Sequence, residues 1–119
     1  MEDIDFESDS FADITGKDSR NDARAYALLM DCVHFLGKER GHMSSYDVMH
    51  EFKERALDQY GPMAYTVLTE WGVTVTEDIG EMMFNLVEFK RVRKDEDDHQ
   101  DDFRDGFDFK EAFLGPFQP

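Results

Sequence analysis

The sequence has a single cysteine, Cys32, so an internal disulfide is excluded. A lone thiol suits a reducing compartment, and a cytoplasmic setting is the expectation. Long apolar runs are missing as well: no stretch approaches the ~18 residues that a membrane span needs. The opening Met-Glu-Asp-Ile-Asp-Phe-Glu is acidic and lacks the apolar middle of a signal peptide, so no membrane anchor is expected. Positive charge is scarce, with 13 Lys and Arg against 28 Asp and Glu and a net charge of −15. Such a surface repels phosphate backbones and acidic headgroups, which makes nucleic acid an unfavourable partner. Phosphate-cradling glycine loops, a nucleophile elbow and a paired-histidine zinc helix are all absent. The acidic segment around Gly106 fails the EF-hand pattern, because Phe103 stands at a ligand position and no Glu follows six residues after the glycine. No cofactor and no metal are expected, and with no catalytic constellation in view the chain reads as a non-enzyme.

What the sequence does carry is helical periodicity over a length suited to one domain. Residues 1 to 10 are acidic and expected to be disordered, whereas Phe11 and Ile14 share the face of a short helix near 5 to 15. From Asp22 to Leu36, the spacing of Tyr26, Leu29, Met30, Val33 and Leu36 predicts a buried helix, with Gly37 as its terminator. Cys32 and His34 on that helix are two residues apart, point to different sides and cannot share a proton. Ser44 and Asp47 form a capping box that starts a helix running to Tyr60, whose apolar stripe is Val48, Met49, Phe52, Ala56 and Leu57. Gly61-Pro62 stops that helix and starts the next, and Trp71-Gly72 closes the second. Thr76 is read as the N-cap of a helix to about Phe89, with Glu77 and Asp78 placing negative charge on its first turn. Gly80 inside this helix costs about 1 kcal/mol against alanine, which points to close approach of another backbone.

After Glu88 the composition changes. Four cations lie in Lys90-Arg91-Val92-Arg93-Lys94, acids crowd residues 95 to 102, and phenylalanines recur at 103, 107, 109, 113 and 117. These rings are too many to leave in water. The pattern predicts a strand around 89 to 94 paired with one around 107 to 110, the acidic run forming the hairpin tip. The expected fold is therefore mainly α within an α+β class, a compact bundle of four to five short helices followed by a small β-hairpin, winged-helix-like in outline. Residues 11 to 117 form its single domain, with Tyr26, Met30, Phe52, Leu68, Trp71, Ile79, Met83 and Leu86 in the core.

Several strings in this chain together resemble a small bacterial family known mainly from Planctomycetes and Verrucomicrobia. They are Ala25-Tyr26, Tyr60-Gly61-Pro62-Met63-Ala64, Trp71-Gly72-Val73, Thr76-Glu77-Asp78-Ile79-Gly80-Glu81, Phe84-Asn85-Leu86-Val87-Glu88, Asp102-Phe103, Gly106-Phe107-Asp108-Phe109 and Ala112-Phe113. The resemblance covers about Phe11 to Phe117. It departs after Glu88, where the family carries an apolar Gly-Leu-Leu-like step and this chain has Phe89-Lys90-Arg91-Val92. No activity is implied by it.

Two functional readings follow. In the first, the chain is an interaction or regulatory protein whose partner is another protein. Its candidate surface is Glu77, Asp78, Glu81, Asn85 and Glu88, most of them at three- and four-residue spacing along one helix. A solvated helix face with a capped start is the competing explanation of the same residues. In the second, the chain is a winged-helix regulator of nucleic acid, with 77 to 89 as recognition helix and Lys90, Arg91, Arg93 and Lys94 as a basic patch on the first wing strand. The acids on that helix have the wrong sign for phosphate.

Overall fold

The boundaries of the helices are written in local chemistry. In the computed structural model, which describes residues 11–40, 44–92 and 100–117, α1 spans Ala12–Lys17, α2 Ala23–Arg40 and α3 Ser45–Tyr60. A 3₁₀ turn, Gly61–Met63, leads into α4 (Ala64–Glu70), and α5 follows at Thr76–Glu88. A second 3₁₀ turn at Gln100–Phe103, α6 (Phe109–Leu114) and a third 3₁₀ turn at Gly115–Phe117 make up the tail. The capping box at α3 is present: the Asp47 amide donates to Ser44 Oγ at 3.1 Å, and the Ser44 amide donates to the Asp47 carboxylate at 3.4 Å. Gly61 takes φ 53° and ends α3, with Pro62 in the turn that begins the next element.

At the end of α4 the chain makes a Schellman turn. Gly72, at φ 85°, donates to the Thr69 carbonyl at 3.0 Å, and Val73 donates to the Leu68 carbonyl at 2.9 Å. Val73 and Leu68 are both fully buried, which supplies the apolar contact that accompanies this motif.

The expected β-hairpin is not there, and no strand occurs among the described residues. The reason lies at Lys90. It adopts φ 61° and closes α5 with a second Schellman turn, Lys90 donating to the Val87 carbonyl at 2.9 Å and Arg91 to the Leu86 carbonyl at 2.8 Å. The backbone therefore reverses off the helix axis where extended chain was expected. On the other side, Phe109 and Lys110 belong to α6, whose N-cap Asp108 accepts from the Glu111 amide at 3.1 Å. Phe107 and Phe109 alternate as a strand would, yet Phe109 and Phe113 are four apart and share one face of a helix, and the helical period prevails. The mainly α part of the expectation stands, and the α+β and winged-helix parts do not. The hairpin tip around 95 to 99 and the acidic residues 1 to 10 lie outside the described residues.

The core gathers one face of each helix. Tyr26, Phe52, Leu68, Trp71, Ile79 and Leu86 are buried as expected, while Met30 and Met83 sit half-buried at its edge. α2 also runs past Gly37 to Arg40. From the tail, Phe103, Phe109 and Phe113 are buried and Phe107 packs beside them, whereas Phe117 is 45% exposed. Gly80 is buried against the ring of Phe103: a Cβ added there would lie 2.8 Å from the Phe103 Cβ. The close neighbour is thus a side chain from the tail and not a backbone.

Candidate functional site

The five residues of the expected interaction surface all have partners within the chain. Asp78, in the first turn of α5, reaches back to the chain that enters the helix: its carboxylate accepts from the Thr74 amide at 2.9 Å, the Val75 amide at 3.2 Å and the Thr74 hydroxyl at 3.3 Å. Glu81 pairs with Arg20 at 2.8 Å. The Asn85 amide donates to the Asp18 carboxylate at 3.1 Å and to the Tyr26 hydroxyl at 3.0 Å. Glu88 lies 3.9 Å from the Lys17 ammonium, and Glu77 accepts from the Asp105 amide at 3.3 Å. Glu81, Asn85 and Glu88 do form a polar stripe, but it receives α1 and the turn after it.

Asp18 is the centre of that contact. The Arg20 guanidinium, at 2.9 and 2.6 Å, holds its carboxyl well below the usual carboxylate range, and the Asn85 amide assists against the opposing effect of burial. A carboxyl held low stabilises the folded chain above its ordinary value of 3.8 and loses that contribution as pH falls further. Asp18→Asn is therefore expected to cost about 1 kcal/mol at neutral pH, since Arg20 is largely in solvent. The difference from the parent chain should shrink below about pH 4, which urea titrations at a series of pH values will show.

The alternative basic patch is not assembled among the described residues. Arg91 turns toward α1, bonding both oxygens of Asp13 at 2.8 and 3.0 Å and stacking over Phe11. Lys90 is exposed at the Schellman turn, and Arg93 and Lys94 lie outside the described residues. Cys32 is fully buried, its thiol pushed up to about 12 by burial, while His34 is exposed, so the two share no site. No group of three or more metal-ligating side chains occurs among the described residues. Nor is any described helix long and apolar enough to cross a membrane.

What the fold does build is an open cleft of about 560 Å³ between the start of α5 and the tail. Val75, Glu77 and Tyr65 line one side, Asp105, Phe107 and Asp108 the other. Thr76 holds the two sides together. Its hydroxyl donates to the Phe103 carbonyl at 2.6 Å and accepts from the Gly106 amide at 2.9 Å, so the side chain expected to cap α5 instead fastens the tail. Gly106 lies so close to Met49 that a Cβ would overlap the sulfur. Thr76→Val keeps the shape and leaves a carbonyl and an amide without this partner, and a cost of about 2 kcal/mol in a denaturant titration is expected.

Of the expected surface, Glu77 lines this cleft. Val75, Asp105, Phe107 and Asp108 were not among the candidates, because Asp105-Gly106 reads as a hairpin turn and Phe107-Asp108 as a strand. The signal for Asp108 was available: Asp followed three residues later by Glu111 marks a helix start. Compared with protein-family models, with curated proteins and with solved structures, the chain matches none.

Proposed function

We propose that this chain is a non-enzymatic interaction protein that binds a basic segment of another protein. The observation that supports this reading best is the cleft beside α5, with Glu77, Asp105 and Asp108 at its rim in a chain of net charge −15. Val75, 46% exposed, offers an apolar surface among the acids. A cytoplasmic setting and membership of the resembled bacterial family belong to the same reading and rest on the sequence. Nucleic acid is disfavoured, because no wing strand occurs among the described residues and Arg91 is engaged by Asp13.

Fluorescence anisotropy at physiological salt tests it with three labelled probes: a short peptide carrying Lys-Leu-Arg-Phe-Lys, the same peptide with Glu replacing each cation, and random duplex DNA. Saturable binding of the basic peptide alone, weakening as salt rises, is expected. Failure of that peptide to saturate, or binding of the DNA instead, overturns the reading.

A further inference from the structure

Whether a basic partner spreads over the whole acidic surface or enters one place is a separate matter. We infer that the cleft between α5 and the tail is a docking groove for a cationic peptide segment, taking one apolar side chain against Val75 and Phe107 and the neighbouring Lys or Arg between Glu77 and Asp105. This inference rests on the function proposed above and gives it an address.

Three features support the placement. The first is size: about 560 Å³ falls within the range of ligand pockets, roughly 300 to 1,000 Å³, and admits a few side chains rather than a folded domain. Next comes the choice of Val75. It occupies the N-cap position of α5, where Ser, Thr, Asp and Asn are preferred, and it offers the helix no side-chain acceptor; the Asp78 amide donates to the Val75 carbonyl at 3.0 Å and the Asp78 carboxylate accepts from the Val75 amide at 3.2 Å. Helix formation does not call for an exposed valine there, whereas an apolar contact in the groove does. Charge is the third. Glu77, Asp105 and Asp108 outnumber Lys110 in the lining, and the face of Phe107 already accepts one ammonium, that of Lys53 at 5.8 Å. Lys53 already occupies that ring face, so the incoming cation is placed at the carboxylates of Glu77 and Asp105 and not over the ring.

The walls also stand in place before any partner arrives. Thr76 bonds both Phe103 and Gly106, Glu77 accepts from Asp105, and Gly80 and Gly106 leave no slack against Phe103 and Met49. Binding then orders the peptide but not the groove, which favours measurable affinity from a small contact. Asp105 and Asp108 are exposed and Glu77 is half-buried, so each contributes modestly and in a salt-dependent way.

The test uses the full chain and the Lys-Leu-Arg-Phe-Lys peptide. Glu77→Gln with Asp105→Asn should weaken binding about threefold to tenfold. Both substitutions respect the fold, since Gln keeps an acceptor for the Asp105 amide and Asn tolerates the φ of 54° at that position. Val75→Ser should weaken it about threefold through the apolar contact. Glu54→Gln with Asp58→Asn removes the same charge from the exposed face of α3 and should change affinity less than about twofold. On the unmodified protein, peptide-induced amide shifts should concentrate at 74 to 77 and 105 to 110.

Equal weakening by the two charge pairs, or shifts gathered elsewhere, overturns the groove while leaving a basic-peptide binder. Absence of saturable binding to the unmodified chain overturns the proposed function, and the groove with it.

Discussion

Removal of the chain beyond Asp102 is expected to lower the melting temperature by about ten degrees or more, and to leave a protein that folds poorly at 37 °C or not at all. The excised part carries Phe103, Phe109 and Phe113, all buried, and Phe107 packed beside them. Its loss opens α5 at Gly80, bares Met49 and takes both hydrogen-bond partners from the Thr76 hydroxyl. Each buried ring contributes roughly 1.5 to 3 kcal/mol, and ordering the tail backbone opposes it at about 1 to 2 kcal/mol per residue, so the tail itself gains little net free energy. The larger effect falls on what remains, whose core faces would be opened to water in a domain stabilised by only about 5 to 15 kcal/mol in all. Phe113→Ala, at a fully buried ring, should alone cost about 3 to 5 kcal/mol, while Phe117→Ala at an exposed one should stay within about 0.5 kcal/mol. Circular dichroism melts decide it: a truncated chain that melts where the full chain does would make the tail an appendage and leave the cleft without one of its walls.

The helix ends were legible because their causes are local. Ser44 with Asp47, Gly61 with Pro62, and Trp71 with Gly72 each carry within a few residues the donors, acceptors and backbone freedom that set the boundary. What the polar stripe of α5 faces was not legible. Periodicity shows that Glu81, Asn85 and Glu88 lie on one side, but a stripe that meets solvent and one that meets another segment have the same spacing. Here the partners are remote, Asn85 bonding Asp18 across 67 positions and Arg91 bonding Asp13 across 78. The cleft is hidden for the same reason, since its sides come from Tyr65, from 74 to 77 and from 105 to 110, and no short window contains them. The expected hairpin failed on both sides, its second strand because Phe109 and Lys110 begin a helix and its first at one residue. Lys90 takes a left-handed conformation that glycine usually supplies, so nothing in its identity announces the turn.

Gly72→Ala is expected to destabilise the chain by about 2 to 5 kcal/mol, although it adds only a methyl group at the end of a helix. Two costs combine. At φ 85° an L side chain is disfavoured by roughly 1 to 2 kcal/mol. In addition, the new Cβ would run into the carbonyl oxygen of Arg20, a backbone atom that cannot rotate away as a flexible side chain would. Crowding of this kind adds about 1 to 3 kcal/mol. Relief requires residues 20 to 22 to move, and these are tied to the same turn: the Asn21 side chain donates to the Gly72 carbonyl at 3.0 Å and the Asp22 amide donates to the Trp71 carbonyl at 3.0 Å. Asn21 is 2% exposed, so breaking its bond strands a buried amide without water to replace the partner. Gly16→Ala is the matched control, because α1 offers open space around it and helix propensity favours alanine by about 1 kcal/mol. Urea titration of both variants should therefore give changes of opposite sign. A Gly72→Ala protein as stable as the parent would mean that the segment before α2 is free to shift, and that its two bonds to the α4 terminus contribute nothing to holding the N-terminal turn against the core.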